Sequence, residues 1–387
     1  MFIKLKSLLY NNEVRAIAFQ VLAVVFIAYF VYQAFDNMML NIEQSGIRSG
    51  FGFLNDEAGF AVNDNFFLTY SPTSTNLQAL YVGIVNTLIV AITGIFFASV
   101  IGLVIGIARL SSNYLIRKMA TVYIEIFRNI PILLQILFWY STALSVLPST
   151  RNSMNFLDSV FLNSRGLFLP KFIIGTEFYL VLASFIIGIV AYVFIKKRST
   201  KKHDDTGIAT NTIPHFLGLV VLLPIVAYFV FGAQLEYPAL KGFNFQGGTG
   251  LSIEFFSLAF ALSVYTATYI AEAIRSGIDS VDKGQKEAAA ALGLRQGQAM
   301  RLVVLPQALR VAIPPIINQY LNLTKNSSLA TAVGYSELVT IFSGTVLNVV
   351  GQAIEVIALT MLVYLTISLF ISLVLNIFNK KMEIKGK

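Results

Sequence analysis

Cysteine is absent from the 387 residues, which excludes disulfides, thiolate metal sites and cysteine nucleophiles. Histidine occurs only as His203 and His215, in or beside one polar connection, too few for a histidine-based metal cluster. Charge is scarce as well: Asp, Glu, Lys and Arg make up 12% of the chain, about half the usual share in a globular protein. No G-x-x-x-x-G-K-[ST] phosphate loop is present, and the only Gly-Lys pair is Gly386-Lys387. Work done by this chain therefore draws its energy from another chain or from an ion gradient. No nucleophile–base pair stands out, so the chain carries no catalytic constellation of its own.

What is abundant is apolar. Hydrophobic residues reach 56% before the 26 glycines are counted, and the mean hydropathy is +0.72. Such a chain has lipid as its main solvent and must close its backbone hydrogen bonds within itself, which predicts an all-α polytopic membrane protein. Eight apolar spans are expected, at 16–35, 80–107, 121–147, 173–195, 213–233, 253–274, 311–331 and 353–376. The seventh is interrupted by Asn318, Asn322, Lys325 and Asn326. The first is too long for a cleaved signal and lacks a small-residue cleavage pattern, so it reads as a retained helix.

The net charge of +8 invites a nucleic-acid reading, and the location of the charges argues against it. With the N-terminus in the cytoplasm, 23 of the 28 Lys and Arg residues fall on the cytoplasmic side. Arg48, Arg151, Arg165, Lys171 and Lys241 remain outside. That is the positive-inside pattern, with both termini cytoplasmic, and the basic character is topological. Residues 1–78 then comprise the N-terminus, the first span and an external segment. A transport domain covers 79–379, and 148–251 is an insertion whose two spans leave the topology of everything after it unchanged. The run Lys196-Lys197-Arg198 with Lys201-Lys202 reads as a topology anchor touching anionic lipid.

The longest polar stretch between spans is 276–310. Asp282 can cap a helix, with Gln285 three residues on in capping-box spacing. Glu287 and Ala288-Ala289-Ala290-Ala291 are strong helix formers, and Gly293 is a C-terminal stop. A second helical stretch runs towards Leu305, where Pro306 ends or kinks it. Local rules thus give two short helices joined by a glycine turn.

Glu287-Ala288-Ala289, then Gly293 after three residues, then Val303-Val304-Leu305-Pro306 after nine more, resembles the EAA motif of ATP-binding cassette importer permeases. Tyr269-Ile270-Ala271-Glu272-Ala273-Ile274-Arg275, Gly284-Gln285, Leu305-Pro306-Gln307-Ala308-Leu309-Arg310 and Lys325-Asn326-Ser327-Ser328-Leu329 resemble the polar amino acid branch of that family. Asn86-Thr87-Leu88, Gly106-Ile107-Ala108-Arg109-Leu110-Ser111 and Arg128-Asn129-Ile130-Pro131 do so too. The external segment 36–78 and the two-span insertion are similar to the general L-amino acid permeases. Asn326 and Ser327 depart from the branch pattern, in which Asp and Thr are frequent, and leave specificity within the branch open.

The resemblance implies one half of a type I importer in a bacterial inner membrane. Its expected partners are an ATPase dimer, a second related permease subunit, a periplasmic amino-acid-binding protein and membrane lipid, with no nucleic acid. No cofactor is expected on this chain, since ATP and Mg would bind the ATPase. The 276–310 region would carry the coupling helix, with Gly284, Glu287, Ala288, Ala289, Gly293, Leu305 and Pro306 as its ATPase-contacting set. A permease for another small polar solute, or an ion-coupled secondary transporter, is the alternative. Neither an ion-coupled transporter nor a membrane-embedded enzyme would explain the EAA region.

Several residues carry a second reading. On a helix, Asn318, Asn322 and Lys325 share a face at i, i+4 and i+7, so they line a pathway, or the lysine bonds carbonyls near the interface. Gly94, Ala98, Gly102 and Gly106 recur every four residues and let helices pack closely. Glu272 and Arg275 are spaced to pair, or to snorkel separately. Glu125 and Arg128 have the same spacing. Pro131 and Pro314-Pro315 kink or start helices.

Overall fold

The computed structural model describes residues 12–44, 49–66, 68–207 and 211–382. Lys4, Lys6, Arg48, Lys385 and Lys387 of the charge count lie outside them. Seven helices among the described residues are long and apolar enough to cross a membrane, and a bent pair makes up to eight.

The first, α1 (Asn12–Gln44), buries none of its span against the rest of the chain. The second, α2 (Asn76–Arg109), opens on a full capping box in which Thr75 and Gln78 exchange hydrogen bonds. Next come α3 (Tyr114–Asn129) and α4 (Ile132–Val146), bent by 102°. The expected third span is therefore two helices, broken at the predicted proline. Ile130, ahead of Pro131, is driven into extended backbone. The carbonyls freed there are recovered by Gln135, whose Nε2 donates to Phe127 O at 2.8 Å and Ile130 O at 2.9 Å.

The stretch 148–251 leaves the helical body and returns beside its own exit. It runs β1 (Met154–Phe156), β2 (Val160–Asn163), β3 (Gly166–Leu169), β4 (Lys171–Phe172), helices α5 (Thr176–Thr206) and α6 (Ile213–Phe231), then β5 (Leu235–Glu236), β6 (Ala239–Lys241), β7 (Asn244–Gln246) and β8 (Thr249–Ser252). The four-stranded sheet has order β1-β2-β3-β8, all antiparallel, so the end of the stretch is tied back to its beginning by β8 pairing with β3. Phe245 sits 4.7 Å from Phe161 and 4.8 Å from Phe168, ring to ring. Hydropathy and helical motifs led to no strands here, because each is only two to four residues long.

The central helix is α7 (Ile253–Asp279), most of which is buried. The small-residue stripe of α2 lies against it. A Cβ on Gly102 would come within 2.7 Å of Ile270, and one on Gly106 within 3.1 Å of the Ala271 carbonyl. Gly94 faces Leu323 and Ala98 is fully buried. These small residues let α2 closely approach both α7 and the later helix that carries Leu323.

After α7 come α8 (Lys283–Ala291) and α9 (Gln296–Ala332). Pro306 neither ends nor breaks α9. The helix widens to a π turn at Met300–Val304, and the proline takes an early position in the α-helix that follows, where its missing N–H costs little. Pro314 and Pro315 also lie inside α9. The expected span at 311–331 is thus the later part of a helix that starts on the polar connection. Last are α10 (Val339–Val350), a short apolar helix not expected from sequence, and α11 (Ala353–Met382).

Candidate coupling and pathway surfaces

Asp282 caps α8, its Oδ1 accepting from Gly284 N at 2.6 Å. The expected capping box does not close, because Gln285 instead accepts from Gln307 Nε2 at 3.4 Å. That contact ties α8 to α9. Gly293 has φ +74°, the left-handed conformation that ends helices on glycine, and its N–H donates to Ala290 O at 2.9 Å. A small cluster of Val281, Val304 and Ala308, with Ile278 packed on it, holds the connection to the helical body. Gly277 permits that closeness, since a Cβ there would stand 2.6 Å from the Ala308 carbonyl.

The candidate coupling residues sort by side. Ala289 turns inward and is 2% exposed, whereas Gly284, Glu287, Ala288 and Gly293 are exposed. Leu305 and Pro306 are also exposed. Leu292, which sequence reasoning passed over, is 81% exposed at the helix end. The anchored helix thus shows a carboxylate, an alanine and a leucine on its exposed side.

On α9, Asn318, Asn322 and Lys325 are all exposed, while Ile317, Leu323 and Thr324 on the opposite side are buried. The structure therefore brings the three together as one polar stripe on a helix within an apolar chain.

Glu272 pairs with Arg275 (Oε1–NH2 2.5 Å), and Arg275 reaches on to Asp279 at 2.6 Å. Arg109 from α2 approaches Glu272 at 3.8 Å. This network fastens the C-terminal ends of α2 and α7. Arg128 lies instead over the Tyr269 ring, 5.3 Å from its centroid.

A buried polar knot is the feature that sequence reasoning missed. Glu337 is wholly buried. Its Oε2 accepts from Val339 N at 2.9 Å and Tyr364 OH at 2.8 Å, and its Oε1 from Thr340 N at 2.8 Å and Thr340 Oγ1 at 3.0 Å. The carboxylate thus caps α10 and joins it to α11. Beside it, Asn86 Nδ2 donates to both Asp64 O and Ser336 O at 2.6 Å. Tyr335 OH donates to Asn86 O at 3.1 Å, and Thr87 Oγ1 accepts from Leu338 N at 3.1 Å. Gly83 makes room for this, since a Cβ there would stand 2.9 Å from Leu338 Cα. The available signal was a lone glutamate heading an apolar run, since an ionisable group there must have partners.

Residues 184–384 match the model of the family described as binding-protein-dependent transport system inner membrane component. The chain belongs to that family. The permease is 48% identical to the general L-amino acid transport system permease protein AapQ of Rhizobium johnstonii, over 98% of this chain and 95% of that one. It is also 48% identical to the putative amino-acid ABC transporter permease protein YhdX of Escherichia coli, over 97% and 95%. The glutamate/glutamine/aspartate/asparagine transport system permease protein BztB of Rhodobacter capsulatus is 36% identical over 99% and 97%. The match covers almost the whole chain, residues 36–78 and 148–251 included, so the family resemblance is not confined to the EAA motif. The permease is a multi-pass membrane protein. No group of His, Cys, Asp or Glu among its described residues is arranged to hold a metal ion.

Proposed function

We propose that this permease is one transmembrane half of an ATP-driven, binding-protein-dependent importer that moves L-amino acids across the inner membrane. The observation that carries the reading is the anchored helix α8, whose exposed side presents Glu287, Ala288 and Leu292 and whose buried side is fixed by Ala289 and the Val281–Val304–Ala308 cluster. Near full-length similarity to permeases named for amino-acid transport supports the cargo class.

In this reading a separate ATPase dimer, holding ATP and Mg, receives α8 and the turn at Gly293. Glu287 meets a basic residue of the ATPase groove, and Leu305 and Pro306 complete the contact. Because α9 runs from the coupling region straight into the membrane, a push on α8 through the Gln285–Gln307 bond and the Val304 cluster moves the stripe Asn318–Asn322–Lys325. That stripe faces the pathway, shared with a second, related permease subunit, and a periplasmic binding protein delivers cargo from outside. Residues 79–379 form the transport domain around the 148–251 insertion, and both termini are cytoplasmic.

The test is purification of the tagged permease from membranes beside a Glu287→Lys variant. An ATPase subunit that accompanies wild type and is lost from the otherwise intact variant supports the reading. A wild-type permease that emerges alone removes it.

A further inference from the structure

The outer face of the permease holds a cavity of about 550 Å³ between the external segment, the insertion sheet and the first turn of α7. Its volume lies in the roughly 300–1,000 Å³ range of small-molecule sites. Two carboxylates line it, Asp64 and Glu254, together with one guanidinium, Arg165. Asp64 is 5% exposed, and its Oδ2 accepts from Ser252 Oγ at 3.1 Å. Glu254 Oε1 accepts from Tyr140 OH at 3.1 Å. Neither carboxylate has a salt-bridge partner among the described residues, and Arg165 has none either.

That arrangement is unusual for a structural ion cluster. Two neighbouring carboxylates with no cation repel each other and are costly to bury, and a guanidinium on the same cavity wall would ordinarily close onto one of them. Here it does not, although the backbone of Arg165 is fixed, its N–H donating to Asn163 Oδ1 at 2.8 Å and its carbonyl accepting from Ile253 N at 3.2 Å. The Asp64 carboxyl is held up at about 6 by burial, with the Ser252 hydroxyl opposing and Glu254 adding to the effect. A carboxylate in that condition lacks a counter-cation. An ammonium group supplies one, and a carboxylate on the same small molecule would then meet the free guanidinium.

We propose that this cavity is an external subsite for free L-amino acids, the α-ammonium seated on Asp64 and Glu254 and the α-carboxylate on Arg165. The subsite reads only the two main-chain charges and leaves the side chain in the remaining volume. It gives the insertion a task, since Arg165 sits in the turn between β2 and β3 and the sheet forms one wall. The backbone of Asp64 is held by Asn86, so the subsite is continuous with the buried knot between α2 and α10. The inference rests on the importer reading of cargo and extends it by placing a cargo contact on this chain.

The experiment is equilibrium binding of radiolabelled L-alanine to the permease, purified with its accompanying subunits in lipid nanodiscs without ATP or binding protein. The charged hydrogen bonds at stake predict weakening on the order of tenfold or more in Asp64→Asn and in Arg165→Gln. N-acetyl-L-alanine and L-alaninamide, each lacking one main-chain charge, should fail to displace the label. Asparagine keeps the Ser252 bond and Arg165 is exposed, so neither change should alter elution or subunit content, which the same preparation shows. Binding within twofold of wild type in both variants, or no binding to wild type, overturns the subsite. Calcium uptake that depends on Asp64 and that L-alanine does not displace overturns it too. Uptake by the same subunits, reconstituted in proteoliposomes with ATP and an amino-acid-binding protein, separates the two claims. If uptake persists while the binding result is negative, only the subsite fails, and if uptake is absent the importer reading fails.

Discussion

Replacing Glu337 by alanine should be among the most damaging single changes in the permease. The carboxylate accepts four hydrogen bonds, two from backbone N–H groups that open α10 and two from the hydroxyls of Thr340 and Tyr364. It is completely buried, so water does not replace it. Each donor stranded in such a place costs about 1–3 kcal/mol. Thr340 Oγ1 retains Thr331 Oγ1 at 3.1 Å and Tyr364 OH lies 3.5 Å from Ser327 Oγ. The two N–H groups of Val339 and Thr340 therefore carry most of the loss, and Glu337→Ala should destabilise by about 3–5 kcal/mol. Glu337→Gln keeps one oxygen for Thr340. Its amide N–H₂ faces Tyr364 OH, which can rotate to accept, and Val339 N–H, which cannot. One lost bond predicts about 1–3 kcal/mol. Tyr364→Phe removes a single hydroxyl and should rank mildest. Thermal unfolding of the purified permease in detergent reads this order. A Glu337→Ala protein that melts with wild type refutes the capping role.

Glycine supplies a prediction with a change of sign: Gly102→Ala, whose Cβ would stand 2.7 Å from Ile270, should destabilise by about 1–3 kcal/mol. Gly297→Ala, with nothing within 4 Å, should stiffen the start of α9 by about 0.5–1 kcal/mol, and melting temperatures that move in the same direction contradict this packing. The Asp64 carboxyl, raised from 3.8 to about 6, is protonated more readily in the folded protein than in the unfolded chain. Its contribution, up to about 3 kcal/mol, is complete below pH ~4 and is lost as the pH rises through ~6. Asp64→Asn should flatten that part of a stability–pH profile, and an unchanged slope argues against it. Lys325→Ala should abolish uptake while leaving subunit assembly intact, and normal uptake removes the lysine from the pathway.

Much of the fold could be read from the chain because lipid imposes a simple rule. Long apolar runs must be helical, and the described helices at Asn76–Arg109, Thr176–Thr206 and Ile253–Asp279 fall where hydropathy places them. Pro131 was legible as a discontinuity, though not the 102° bend it makes. Asn318, Asn322 and Lys325 share one face because helical spacing alone decides that, and the structure adds that the face is exposed. The sheet in 148–251 was not legible, since its strands are only three or four residues long and the pairing that closes it, β3 with β8, joins positions as far apart as Gly166 and Ser252. Nor was the inward turn of Ala289, which depends on where Val304 and Ala308 return. The knot around Glu337 needs α2, α10 and α11 brought together, and no local pattern records that.

The central claim, that this permease serves an ATP-driven amino-acid importer, is tested most directly by reconstitution. The purified complex is placed in proteoliposomes, and uptake of radiolabelled L-amino acids is followed with ATP inside, without ATP, and with imposed proton or sodium gradients. The expected result is uptake that needs ATP, that needs an added amino-acid-binding protein, and that fails in Glu287→Lys. Uptake by the permease alone, driven by an ion gradient and indifferent to ATP, would contradict it.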